Sequence, residues 1–483
     1  MSSASPLVHS ETVLQPLGRA LVTAFYATAR AIRFYPLENA TVQNGLDQLT
    51  RIIRRVLDRE GVIHLRLLGD FVFLNDARLR LDLSDYVSFS YVASLFRRHG
   101  IGQLDIATEF QREHLVPLLS LLVEEDAGGE TAFEHFVARL EQSPARYVEV
   151  QPTQEVEQDL PVEEDDRAKE AARVTYFQSV HVAREVLTDA RLGRAVNLRR
   201  VKRAVQSIVD QVLNNETSIL GMTVLRDYDE YTFTHSVNVC IFSVVIGQRL
   251  GLTKLQLYEL GLGALFHDIG KQRIDANIVN KAGGLTNDEW QWIRRHPTEG
   301  MLSLFWMRGL SDVPYRAMLM AYEHHMKIDL TGYPTNKRER KPTLFSRIVA
   351  TADGFDAATS KRSYQQQPWP PDEVMRVMRD EPKRGFDPVL VKALMNSTGV
   401  FPIGTLAILD SFEMAVVVAR NPDTRRIHQP IVKVISDYMG LMVAQPFTVD
   451  LTELDPATQK PKRTIVKTVD PDRFGIRVSD YFI

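Results

Sequence analysis

Cysteine is all but missing from this chain: Cys240 is the only one in 483 residues. That excludes an intramolecular disulfide framework and a cysteine-rich zinc site, and it fits a reducing cytoplasm. Long apolar runs are missing too. The longest candidate, around Val237 to Leu250, is interrupted by Asn238, Gln248 and Arg249 and falls short of the ~18 apolar residues of a membrane-spanning helix. The amino terminus, Met1-Ser-Ser-Ala-Ser-Pro6, lacks the basic and apolar regions of a secretory signal. Nor does one sign of charge dominate. A formal net charge of -3 argues against a nucleic acid polymer as partner and against a polybasic membrane function. These absences predict a cytoplasmic protein with no membrane insertion.

What is present suggests a multidomain chain, since this length allows two to four domains. Residues 1–150 read as an α+β module. Helical patterns over Leu14–Phe34 and Glu38–Arg59 precede strand-like Ile63–Leu68 and Phe71–Leu74, joined by Gly69-Asp70 in a hairpin. Helices near Tyr86–Arg98 and Phe110–Glu125 flank a further strand at Ile101–Ile106. His9, His64, His99, His114 and His135 are scattered here at no metal-binding spacing, so the module is expected to be sensory or regulatory. Residues 151–170 read as an acidic linker, with seven acidic residues and no basic one between Glu155 and Asp166. Residues 171–400 carry helical patterns and nearly all the chemistry. Within them, Leu198, Val201, Val205, Ile208 and Val212 form a short heptad stripe that suits either packing onto the next domain or a homodimer seam. Residues 401–483 alternate like short strands at Thr405–Leu409, Met414–Ala419 and Pro430–Ile435, predicting a small β-rich module.

The strongest local signal is His267-Asp268, which ends the apolar run Leu260–Phe266. A segment apolar on every face is buried, and an ionised carboxylate there costs several kcal/mol, by rough estimate, unless a cation or strong donors compensate. A metal ion would do so. Other His and Asp residues stand at the ends of helical patterns. His235 opens an apolar helix. Thr286-Asn-Asp-Glu289 is a capping box, with Leu285 and Trp290 as a staple, starting a helix that delivers His296 before Pro297, a helix breaker. A helix started by Pro314 presents His324-His325. Asp353 and Asp356 lie three apart on one face of Ser346–Thr359. An oxygen and nitrogen ligand set suits Fe, Mn or Zn, and two ions sharing a carboxylate, Asp268 or Asp353, would use so many donors economically.

Here the sequence resembles the HD-GYP family, a branch of the HD metal-dependent phosphohydrolases. The resemblance rests on His267-Asp-Ile-Gly-Lys271 followed by His324-His325-Met-Lys-Ile-Asp-Leu-Thr-Gly332-Tyr333-Pro334. It extends to Tyr231-Thr-Phe-Thr-His-Ser, His296-Pro-Thr-Glu-Gly and Ala352-Asp-Gly-Phe-Asp356-Ala-Ala-Thr-Ser-Lys-Arg362-Ser-Tyr364, covering roughly residues 175–400. It implies a mainly α-helical catalytic domain and hydrolysis of cyclic di-GMP to linear pGpG or GMP. The implied metal ligands are His235, His267, Asp268, His296, His324, His325 and Asp353, holding two divalent ions, iron or manganese. Members with three metals carry a glutamate four residues before the first histidine; Tyr231 stands there in this chain.

A hydroxide bridging two ions would attack phosphorus in line, with Lys271 neutralising a phosphate oxygen and Asp356 bonded to the nucleophile or to a ligating histidine. Gly332, Tyr333 and Pro334 would form a loop near the substrate, and Arg362 a phosphate clamp. Two departures stand out. The family follows the paired histidines with Glu where this chain has Met326, and it has Asp-Gly where this chain has Asp329-Leu330. The altered loop admits cyclic GMP-AMP as a rival substrate. A second reading is a catalytically impaired cyclic-dinucleotide receptor, or a signalling protein whose partners bind the N-terminal domain or the GYP loop.

Overall fold

Apolar residues three and four apart in sequence build most of the computed structural model, which describes residues 6–68, 71–75, 77–79, 86–124, 132–153, 164–194, 196–225, 231–281, 283–307, 315–335, 338–361 and 367–482. Gly69-Asp70, the middle of the acidic linker (154–163), Pro314 and Arg362 lie outside the described residues. The chain divides into two compact units, residues 1–161 and 162–483. It is mainly helical, with two antiparallel five-stranded sheets.

In the first unit, α1 (Pro6–Phe34) and α2 (Ala40–Glu60) pack together. Helix α2 buries Val42, Leu46, Leu49, Ile53, Val56 and Leu57, one stripe of a 3.6-residue period. Asn39 caps its start by accepting from the Thr41 N–H at 2.8 Å, and Gly61, at φ 77°, ends it by donating to Leu57 O. There follow β1 (Ile63–Leu68), β2 (Phe71–Leu74), β3 (Ala77–Arg78), α3 (Tyr86–Arg98), β4 (Ile101–Ile106), α4 (Arg112–Val123), α5 (Ala132–Gln142) and β5 (Val148–Pro152). The sheet order is β3-β2-β1-β4-β5. Alternate residues Ile63, Leu65 and Leu67, with Leu104 and Ile106, enter the helix-covered core, as the two-residue strand period requires.

The second unit begins with α6 (Glu164–Arg191) and α7 (Leu198–Met222). The α7 stripe Val201, Val205, Ile208 and Val212 is buried, and α7 packs on α6, α8 (Tyr231–Arg249) and α9 (Lys254–Phe266). The heptad spacing therefore serves the inside of this unit. Helix α8 from Thr234 to Gly247 and the second half of α9, Leu260–Phe266, are buried on every face. A capping box starts α9: Thr253 Oγ1 accepts from the Gln256 N–H, and Gln256 Oε1 accepts from the Thr253 N–H at 2.9 Å. A 3-10 turn (Ile269–Arg273) leads to the short helices α10 (Ala276–Val279) and α11 (Asn287–Ile293), then to α12 (His296–Trp306) and α13 (Tyr315–Glu323). The long α14 (Leu344–Thr359) is followed by α15 (Pro371–Asp380) and α16 (Pro388–Thr398).

The Thr286 capping box forms as its sequence requires, but Pro297 plays the opposite part from the one expected. Helix α11 stops at Ile293, and Pro297 lies in the first turn of α12, where its missing N–H costs nothing. His296 therefore opens a helix. The carboxyl-terminal sheet joins β6 (Leu406–Leu409), β7 (Met414–Ala419), β8 (Ile431–Ser436), β9 (Met442–Asp450) and β10 (Ile465–Val469) in the order β10-β6-β7-β8-β9. No helix among the described residues is long and apolar enough to cross a membrane.

Candidate metal centre

Seven His and Asp side chains from distant parts of the second unit meet in two adjoining groups. His235, His267 and Asp353 form one; Asp268, His296, His324 and His325 form the other. His235 comes from the second turn of α8, and His267-Asp268 from the end of α9. His296 opens α12, His324-His325 follow α13, and Asp353 comes from mid-α14. Close backbone approach makes this convergence possible. A Cβ on Gly270 would lie 2.0 Å from His296 O, so only glycine lets the turn after Asp268 sit against α12.

Asp268 faces both groups. Its Oδ2 lies 3.4 Å from His267 Nε2 and 3.7 Å from His235 Nε2, while its Oδ1 lies 3.3 Å from His296 Nε2 and 3.7 Å from His324 Nε2. Asp353 Oδ1 is 3.2 Å from His235 Nε2, and its Oδ2 is 3.9 Å from His325 Nδ1. A carboxylate with one oxygen toward each group has the disposition of a bridging ligand.

The histidine tautomers follow from what lies behind the rings. His267 Nδ1 is 2.7 Å from Ala264 O, His296 Nδ1 is 2.7 Å from Ile293 O, and His324 Nδ1 is 2.9 Å from Ala321 O. A carbonyl only accepts, so each Nδ1 carries the proton and each Nε2 presents a bare lone pair. His235 does the same against Asp356 Oδ2, at 2.7 Å. The bare nitrogens then crowd together: His296 Nε2 and His324 Nε2 are 3.1 Å apart. His235 Nε2, His267 Nε2 and Asp268 Oδ1 are buried without a hydrogen-bond partner. Orphaned buried acceptors that face one another cost free energy unless a cation lies between them. The donor set fits divalent metal.

Electrostatics prepare the same protonation states. Burial opposes charge on Asp268, yet Lys271 and His267 hold its carboxyl well below the usual range. Asp353 is likewise held well below, against burial, by His235 and then by His267 and His325. Burial pushes His296 down to about 3. Burial and the neighbouring His324 and His296 hold His325 well below an ordinary imidazole. His235 differs: burial favours its neutral form, but the Asp353 and Asp356 carboxylates outweigh it and raise its pKa.

The other expected residues fall as follows. Lys271 lies in the 3-10 turn with its ammonium paired to Asp268 Oδ2. Asp356 is fully buried behind His235, where Asn238 Nδ2 also donates to its Oδ1 at 3.0 Å. The Tyr176 hydroxyl in turn donates to Asn238 Oδ1 at 2.9 Å. Asn238 and Tyr176 escaped the sequence reading; the one legible hint was a polar Asn three residues after His235 on an otherwise apolar helix. The Tyr333 ring lies 4.7 Å from that of His325, with the Arg294 guanidinium over it at 5.6 Å, and the Tyr333 N–H donates to His325 O at 3.1 Å. A Cβ on Gly332 would come within 2.1 Å of the same carbonyl, so the loop depends on glycine there. Pro334 follows Tyr333 through a cis peptide bond. Leu330 takes φ 65°, the left-handed conformation that glycine adopts without strain.

Residues 220–390 match the family model described as an HD domain. Cyclic di-GMP phosphodiesterase PA4108 from Pseudomonas aeruginosa is 35% identical over 246 residues, 51% of this chain and 58% of the relative. The 3'3'-cGAMP-specific phosphodiesterase 3 of Vibrio cholerae is 31% identical over 36% of this chain and 36% of its own. Among solved structures, the HDG"Y"P protein Bd1817 from Bdellovibrio bacteriovorus aligns with TM-score 0.39 and 14% identity over 69% of this chain and 93% of that one. The segment matches an HD domain, and its motifs are similar to those of the HD-GYP branch. The chain spans 58% and 36% of the length of the two curated relatives named.

Proposed function

We propose that this chain hydrolyses a cyclic dinucleotide, cyclic di-GMP first and 3'3'-cyclic GMP-AMP second, to a linear product at a centre of two divalent ions, iron or manganese. The observation that carries this reading is Asp268, whose two carboxylate oxygens each face a separate group of bare imidazole nitrogens. His235, His267 and Asp353 would hold one ion, and His296, His324 and His325 the other, with Asp268 shared. Divalent metal there supplies Lewis-acid stabilisation of phosphoryl charge and acidifies water.

The chain's own residues do the rest. Asp356 holds His235 in the tautomer that presents Nε2. Lys271, beside Asp268, brings a cation within reach of a phosphate oxygen at the centre. Gly332 lets the backbone come close, and Tyr333 sets an aromatic face beside His325. Arg362 is assigned as a phosphate clamp from its motif alone. Residues 1–150 are assigned a sensory or partner-binding role and residues 401–483 that of a β module accessory to the catalytic domain; of the expected linker 151–170, residues 151–152 belong to β5 and 164–170 to α6, so the linking role narrows to the stretch between them. A cytoplasmic location accords with the single cysteine, Cys240, which is buried and reduced.

The test is anaerobic purification, elemental analysis of bound metal, and incubation with both cyclic dinucleotides while following linear products. Bound metal with product from either nucleotide is the expected result. Metal retained, nucleotide bound tightly and no product from either would leave a receptor instead of an enzyme.

A further inference from the structure

Glu323 is fully buried at the end of α13, immediately before His324-His325, and belongs to neither ligand group. Its Oε2 accepts from the Thr343 N–H at 2.8 Å and from Ser346 Oγ at 2.8 Å, while its Oε1 pairs with the Arg340 guanidinium. Thr343 is the N-cap of α14, so the carboxylate sits where the backbone N–H groups and dipole of that helix favour negative charge. Helix α14 carries Asp353. Arg340 lies on the returning leg of the segment that carries Gly332 and Tyr333. The outgoing leg is tied to the ligand pair itself, through the Tyr333 N–H on His325 O.

One carboxylate thus joins the helix end that presents two histidines, the helix start that leads to Asp353, and the loop expected to meet the substrate. The α14 start accounts for one oxygen of this buried carboxylate, whereas the other is turned to Arg340, whose side chain is half-exposed and adds little to the core. We infer that Glu323 is a positioning residue: through Arg340 it holds the returning leg, and with it the Gly332–Pro334 element, in place against His325 before substrate arrives. This inference rests on reading the centre as a cyclic-dinucleotide hydrolase.

The experiment uses the full chain with Glu323→Gln, Arg340→Ala and Arg340→Lys. Three quantities are measured: bound metal, hydrogen exchange of residues 326–343, and the kinetic constants for cyclic di-GMP. Metal content should stay at the wild-type level in all three. Glu323→Gln and Arg340→Ala should speed exchange in the segment and raise KM about tenfold, with a smaller fall in kcat, because a loosened loop loses prepaid substrate positioning. Arg340→Lys, which keeps the charge, should recover part of the loss. Exchange and KM both unchanged would overturn the inference, as would metal lost in step with activity, which marks a purely structural prop. Arg340 has a half-exposed side chain, so its variants keep the question open to measurement even where Glu323→Gln fails to fold. A wild-type chain that hydrolyses neither nucleotide refutes the functional reading, and the exchange data then still decide the role of Glu323.

Discussion

Histidines in the first and second units differ in how their nitrogens are used, even where both are buried. In the first unit, His99 is buried with Nε2 on Leu122 O at 3.0 Å, His114 accepts from the Gln111 N–H at 3.0 Å, and His64 bonds Asp105 at 2.6 Å. Each satisfies a local need, and they form no group with metal-ligand spacing among the described residues. In the second unit, four histidines spend Nδ1 on an acceptor and turn Nε2 toward other bare acceptors. Burial marks a core histidine; convergent unpaired nitrogens mark a ligand.

The largest expected effect tests that distinction directly. The His267→Ala, Asp268→Ala double variant should lose bound metal and all hydrolysis, whereas His64→Ala in the first unit should leave metal content at the wild-type level by elemental analysis. If both behave alike, the comparison fails. Next, Asp356→Ala frees His235 from its partner and should weaken metal affinity about 10–100-fold, read by competition with a chelator.

Acidity gives a third test. In the metal-free chain His235 holds its proton to a higher pH than an ordinary imidazole, because the Asp353 and Asp356 carboxylates outweigh burial. Metal must displace that proton, so affinity should begin to fall, as pH is lowered, above the usual histidine range near 6.5. His296, pushed down to about 3, adds no proton competition there. An affinity flat down to pH 6 in a titration series would contradict this order. Gly332→Ala should then raise KM by forcing the loop away from His325 O, with metal content kept. The smallest effect belongs to Leu330→Gly. Release from the left-handed conformation is worth about 1–2 kcal/mol, and the greater chain entropy of glycine offsets about 0.5–1 kcal/mol, so denaturation should show a slight stabilisation.

Much of the candidate site could be read along the chain, because its expected ligands, Asp353 in mid-α14 excepted, stand at or near helix ends next to apolar runs. His267-Asp268 after Leu260–Phe266 was legible as a buried charge, and that run is buried throughout. Pro297 misled: proline both stops and starts helices, and only packing shows on which side of it the helix lies. Asn238, Tyr176 and Glu323 were not legible as parts of the site. Tyr176 meets Asn238 across 62 residues of sequence, and Asn238 meets Asp356 across 118. Strands β5 and β9 and helix α5 carried too little periodic signal to be foreseen.

By itself the sequence determined which donors exist, which helices end on them, and that Asp268 must be buried, since these follow from local order and apolar pattern. Tertiary structure alone decided that Asp268 faces two groups, that Asp356 stands behind His235, and that Glu323 ties the loop to α14. Those facts depend on distances between segments far apart in the chain, which no local pattern encodes. The physical reason is close packing: the direction of a side chain is set by what the rest of the fold leaves room for.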